Sequence, residues 1–203
     1  SITLRGHEIM NRTRELIEAE GYQVIYGDTD SIFVWLNQTV TTREADRIGT
    51  HLSRYITQWW REHLRSAYHL ESALELEYET HYSRFLMPTI RGSQEGTKKR
   101  YAGMVCKEEF DFESANEEYY HLVFKGLETV RTDWTHIARE LQRELYQKIF
   151  LKQPYLPYIR QVIAQIKAGE HDHKLIYRKR LRRKLNDYQR NIPPHVQAAI
   201  KAE

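Results

Sequence analysis

The chain has 203 residues, 40% hydrophobic and 29% charged, enough for one large or two small packed domains. No apolar run approaches the roughly 18 residues of a membrane span, and Arg5, His7 and Glu8 interrupt what would be the apolar core of a signal peptide. One cysteine, Cys106, excludes an internal disulfide framework and fits a reducing compartment, and a net charge of +3 is too small to prove a polyanionic partner.

The first predicted element is a helix over residues 5–20, with Ile9, Thr13, Leu16 and Ile17 on one face and Gly21 placed for a left-handed cap. GYQVIY and SIFVWL then flank the four residues GDTD, which predicts a β-hairpin around a Gly/Asp turn. A long helix follows. Thr41 and Glu44 have capping-box spacing, and Ala45, Ile48, Leu52, Tyr55, Ile56 and Trp59 recur at helical intervals. In ALELEYETHY, Leu74, Leu76 and Tyr78 alternate with Glu75, Glu77 and Glu79, the pattern of a half-buried strand whose glutamates form a solvated exterior or, as the less favoured reading, hold a metal. RFLMPTI reads as its partner, with Pro88 favouring an edge or an irregular position. KKRYAGMV and YYHLVFKG read as two more strands joined by an acidic loop.

Composition shifts near Gly126. Residues 133–150 and 154–168 read as helices, with Pro154 suited to a first turn and Gly169 to a stop, and Pro193 and Pro194 introduce a short last helix. The expected fold is α+β, an antiparallel sheet with flanking helices up to about residue 126 and a mainly helical region beyond it. The four tryptophans (Trp35, Trp59, Trp60, Trp134) are assigned to the core.

Charge is segregated along the chain. Lys174, Arg178, Lys179, Arg180, Arg182, Arg183, Lys184 and Arg190 are opposed only by Asp187 in their stretch, while carboxylates gather at 75–79 and 108–118. This suits a protein that meets phosphates with one region, and equally suits solvated loops and a charged helix face.

The stretch YGDTDS carries the most chemistry. Two carboxylates held together over an apolar sheet repel, and a divalent cation relieves the conflict. Two such ions roughly 3.5–4 Å apart stabilise both oxygens of a phosphoryl transfer. Taken alone, though, Gly-Asp-Thr-Asp is ordinary turn chemistry, and the turn reading is the one it favours.

Further motifs change that balance. GYQVIYGDTDSIFVWL resembles motif C of the family B DNA polymerases, and ALELEYE followed by KKRYAG resembles that family's palm strand and its KKRY motif. KGLETVRTDW resembles the palm-to-thumb passage, and YRKRLRRKLNDYQRNIPPHVQAA resembles the thumb, most closely that of a bacterial member. The matches stand in the family's order and cover nearly the whole chain.

The resemblance implies a partial palm over 1–126 and a thumb over 127–203. It implies that Asp30 binds both of two catalytic Mg²⁺ ions, that Asp28 is a second, less constant ligand, and that Gly27 and Thr29 shape the turn. Lys98, Lys99 and Tyr101 match the motif that holds primer-template DNA, and on a strand Lys99 and Tyr101 would share one face. Arg178, Lys179, Arg180, Arg182 and Arg183 fall in the thumb, which grips the duplex. Arg131 and Asp133 are equally a structural ion pair or a DNA contact. The implied activity is addition of deoxynucleotides from their triphosphates to a primer 3′ end, in repair or replication restart, in the bacterial cytoplasm at the nucleoid and with no membrane partner. Motifs A and B are expected to precede residue 1, and the thumb to continue past residue 203, where a sliding clamp could bind. The chain alone is therefore expected to bind duplex without extending a primer. The alternative is a non-catalytic DNA-binding module on a palm-like scaffold.

Overall fold

The computed structural model describes residues 2–28, 30–89, 99–189 and 192–202. The chain divides into two compact units, Ser1–Val123 and Phe124–Glu203. Both helices and small sheets are present, so the fold is α+β. Among the described residues no helix is long and apolar enough to cross a membrane.

The first unit opens with α1, Ile2–Ala19, which buries Thr13, Leu16 and Ile17. It ends as its glycine predicts. Gly21 has φ 87°, its N–H donates to the Glu18 carbonyl, and the Tyr22 N–H reaches back to Ile17, the paired bonds of a Schellman cap. Strands β1, Gln23–Asp28, and β2, Ser31–Trp35, form an antiparallel hairpin. Helix α2, Thr42–Tyr68, starts at a complete capping box: the Thr41 side chain accepts from the Glu44 N–H while the Glu44 carboxylate accepts from the Thr41 N–H. Leu52, Ile56 and Trp60 of α2 pack with Leu16 and Ile17 into the unit's core, and the buried Trp60 indole donates to Thr13 Oγ1 at 3.0 Å.

The predicted strand around ALELEYETHY is not a strand. Residues 71–80 alternate strictly between exposed and half-buried but carry no sheet pairing. Their covered side faces α2 instead. Leu74 and Leu76 pack on the core cluster, the Leu76 N–H donates to Thr57 Oγ1 at 3.0 Å, and the Tyr78 hydroxyl donates to Asp46 at 2.7 Å. A period of two requires only that one side of an extended chain be covered, and here a helix covers it. Gly49 makes this approach possible, since a Cβ there would stand 2.1 Å from the Tyr78 ring.

A second sheet has the order β3-β4-β5, with β3 Arg84–Leu86, β4 Tyr101–Cys106 and β5 Tyr120–Lys125. β3 runs antiparallel to β4, pairing Arg84 with Met104 and Leu86 with Ala102, and lies at the sheet's edge; Pro88 stands beyond its end in irregular chain. The acidic loop between β4 and β5 is folded. Asp111 accepts from the Glu113 and Ser114 N–H groups, and the Phe110 ring meets Phe112 and Tyr120. Cys106 is a buried free thiol whose pKa is pushed up by that burial.

In the second unit α3, His136–Phe150, and α4, Leu156–Lys167, bury Ile137, Tyr146, Phe150 and Val162. Pro157, not Pro154, occupies the first turn of α4, and Gly169 at φ 80° closes that helix. The short α5, Pro194–Ala202, buries Val196 completely. Two tryptophans depart from the expected core. Trp35 is 54% and Trp134 37% exposed, because each closes an element (β2) or precedes one (α3) at a point its unit leaves uncovered.

Candidate functional site

The aspartate hairpin is tighter than its sequence suggests. Asp28 pairs with Ser31, so only positions 29 and 30 remain for the turn. Gly27 accordingly stands within β1, opposite Ile32, and not in the turn. Its φ is not left-handed, and an added Cβ would make ordinary contact with Met10 at 3.7 Å, so the backbone there does not demand glycine. Thr29 lies outside the described residues. Asp30 is exposed at the tip, where the Ser31 hydroxyl makes a long contact to its carboxylate at 3.4 Å.

What holds the tip is the alternation of β2. Ile32 and Val34, with Val24 of β1, pack against the α1–α2 core. Phe33 points the other way, into a cluster of four rings: its centroid is 5.1 Å from Tyr101, 5.2 Å from Phe85 and 6.3 Å from Tyr82. One face of the hairpin is thus clamped by helices and the other by β3, β4 and Tyr82. Burial raises the Tyr82 hydroxyl pKa well above its ordinary value, and the neighbouring Tyr101 hydroxyl adds to the shift. Gly103 is required for this cluster, because a Cβ there would lie 2.2 Å from the Tyr82 ring. A bulge at Ile25 interrupts the β1–β2 register, the irregularity often found where a sheet aims a side chain.

The cluster brings the aspartate hairpin and the KKRY segment together through Phe33 and Tyr101. Tyr101 is half-buried at the start of β4. Lys99 precedes the strand at φ 62°, in a turn, so it does not alternate with Tyr101 on one strand face as expected; its side chain is exposed. Lys98 lies outside the described residues. Sequence reasoning missed the ring cluster, because its four members come from segments up to 68 residues apart and share no periodicity.

In the second unit Arg178, Lys179, Arg180, Arg182 and Arg183 are all exposed. They occupy an irregular stretch, not a helix face. The Tyr188 hydroxyl accepts from the Arg182 and Arg183 N–H groups at 3.1 and 3.2 Å and tethers the segment locally. Arg131 grips Asp133 with two bonds of 3.0 and 2.8 Å, which draws the Asp133 carboxyl down to about 2. Among the described residues no group of three or more His, Cys, Asp or Glu is placed to hold a metal, and Glu75, Glu77 and Glu79 simply face solvent.

Against known proteins, the sequence matches the model of the family described as "DNA polymerase family B" over residues 1–203. The chain belongs to the family B DNA polymerases. Among family B members it is similar to DNA polymerase II of Escherichia coli (strain K12), 56% identical over 203 residues that cover 100% of this chain and 25% of that protein. It is 29% identical to a DNA polymerase of Archaeoglobus fulgidus and 28% to one of Pyrococcus horikoshii, each across 98% of this chain and 21% and 14% of the relative. The chain therefore spans a quarter or less of these family B polymerases. Members of the family generally use divalent metals. The hairpin offers hard carboxylate oxygens, with Asp30 open to solvent, and this donor chemistry suits Mg²⁺.

Proposed function

We propose that the chain is the palm and thumb portion of a DNA-directed DNA polymerase acting in repair or replication restart, with part of the palm over 1–126 and the thumb over 127–203. One observation carries the reading: Asp30 sits exposed at the tip of a two-residue turn whose strands are clamped on both faces, in a chain that matches family B throughout. Asp30 is the principal ligand of two Mg²⁺ ions, and Asp28 a second. When bound, such ions supply positive charge for the attacking and leaving oxygens as a deoxynucleotide joins the primer 3′ end.

The rest of the chain positions the substrate. The ring cluster keeps the hairpin from shifting relative to the KKRY segment, and a displacement of about 1 Å there would cost catalysis heavily. Lys98, Lys99 and Tyr101 contact the primer-template backbone, and the exposed cations 178–183 hold the duplex without reading its sequence.

In a polymerase containing this chain, Asp30→Asn is expected to reduce templated primer extension to background while duplex binding stays largely intact, since a carboxylate facing phosphate adds little affinity without metal. Near-normal extension by that variant would overturn the assignment. The 203-residue chain alone is expected to bind primer-template without extending it, because two carboxylates on one hairpin leave a divalent ion short of fixed ligands.

A further inference from the structure

The outer face of α2 carries a row of side chains that the aspartate site does not use. Arg43, Arg47, Arg54 and Arg61 recur at intervals of four and seven residues, and with His51 they occupy an arc of about 80° on the helix. The buried Ala45, Leu52, Ile56 and Trp60 lie on the opposite side. Two shallow grooves follow the row: one of 420 Å³ beside Arg43, Arg47 and Arg54, and one of 340 Å³ beside Arg54 and Arg61.

The charge of the row is unspent at its centre. Arg43 is held by Glu108 at 2.8 Å, and beyond the other end Arg65 is held by Glu71 at 3.2 Å. Arg47, Arg54 and Arg61 have no ion-pair partner among the described residues; the ion pairs of α2 are those of Arg43 and Arg65. Of the carboxylates beside the row, Asp46 accepts from the Tyr78 hydroxyl and Glu62 from the Gln58 amide, while Glu75 lines the second groove with Arg54 and Arg61. All five cationic residues of α2 are arginine and none is lysine, and arginine's planar fork is the side chain suited to bidentate phosphate contact.

We propose that this row is a phosphate-contact surface for duplex DNA, with Arg47, Arg54 and Arg61 as its centre. The inference rests on the geometry of α2 and does not depend on the polymerase reading. Along a helix, intervals of seven residues place these arginines about 10 Å apart and about 21 Å end to end. That straight, stiff row matches the length of about six base-pair steps, within reach of long flexible side chains. Thr50 and Gln58 beside it offer neutral hydrogen bonds to phosphate oxygens. No Phe, Tyr or Trp lies in the arc, so the surface has no broad platform for stacked bases, which favours duplex over single strand.

The test is fluorescence anisotropy of the full chain with a labelled blunt duplex across a salt series. The triple substitution Arg47→Gln, Arg54→Gln, Arg61→Gln is expected to lower the slope of log affinity against log salt by about 2 to 3, at about 0.9 per phosphate. The corresponding triple Arg→Lys variant should restore most of that slope. An unchanged slope in the glutamine variant overturns the proposal, as does single-stranded DNA binding more tightly than duplex and weakening as much on substitution. Arginine-selective modification of the unsubstituted chain gives an independent readout: duplex should protect Arg47, Arg54 and Arg61, and modification unaffected by duplex would refute the proposed surface. Glutamine substitutions at Arg178, Lys179 and Arg180 report separately on the basic segment; a weakening there with none in the α2 variant refutes this surface and spares the other reading.

Discussion

Two glycines decide whether aromatic rings can close on their neighbours. At Gly103 an added Cβ would stand 2.2 Å from Tyr82, and at Gly49 it would stand 2.1 Å from Tyr78. Both tyrosines are hemmed in, Tyr82 by three other rings and Tyr78 by its bond to Asp46, so neither can swing aside freely. Gly103→Ala is expected to cost about 1–3 kcal/mol of stability by chemical denaturation, through overpacking. An unchanged midpoint would show that the ring cluster yields. Asp133 makes a different residue-scale prediction. Its folded carboxyl lies at about 2 against an ordinary 3.8, with the Arg131 guanidinium as the main cause. A depressed carboxyl stabilises the fold above the unfolded value and loses that contribution as pH falls through the folded one. The contribution is therefore complete above pH 3.8 and fades toward pH 2, and because the pair is exposed it is small and screened by salt. An NMR titration at low salt should place the Asp133 midpoint near 2, and Arg131→Gln should return it toward the ordinary value.

At the scale of elements, the helix termini follow local chemistry. The Thr41–Glu44 capping box and the glycine cap at Gly21 form from residues within a few positions of each other, so they were legible before any fold was known. The segment 71–80 was not. Its alternation is real, but the partner that covers it is α2, some 20 residues earlier, and nothing in the period distinguishes a helix from a sheet as that partner. Thr57 Oγ1 takes the place of a ladder acceptor for the Leu76 N–H. Thr57→Val should leave that part-buried N–H unsatisfied and destabilise the chain by about 1–3 kcal/mol. Hydrogen exchange at Leu76 should quicken in the same variant; equal protection would mean that the extended segment is held by its leucines alone.

For the whole molecule, the chain is two compact units, each with charged features of its own. The first carries the aspartate hairpin and the arginine row of α2, and the second the exposed cations 178–183. If those cations grip the duplex, replacing Arg178, Lys179, Arg180, Arg182 and Arg183 by glutamine should flatten the salt dependence of binding by about 0.9 for each phosphate no longer neutralised. An unchanged slope would make the segment a solvated loop, the other reading its composition allowed. The sequence by itself determined the helix caps, the aspartate hairpin, most of the elements and, through ordered motifs, the family, because these depend on neighbours in the chain or on residue identity alone. Periodicity would also have exposed the arginine row, since four arginines spaced by four and seven mark one side of a helix. Only the tertiary structure decided that the turn has two residues, that Gly27 is a strand residue, that Lys99 lies off the strand of Tyr101, and that Phe33 joins the hairpin to β4. Those outcomes rest on register and on contacts between distant segments, and packing chooses among alternatives that local preference leaves nearly equal in energy.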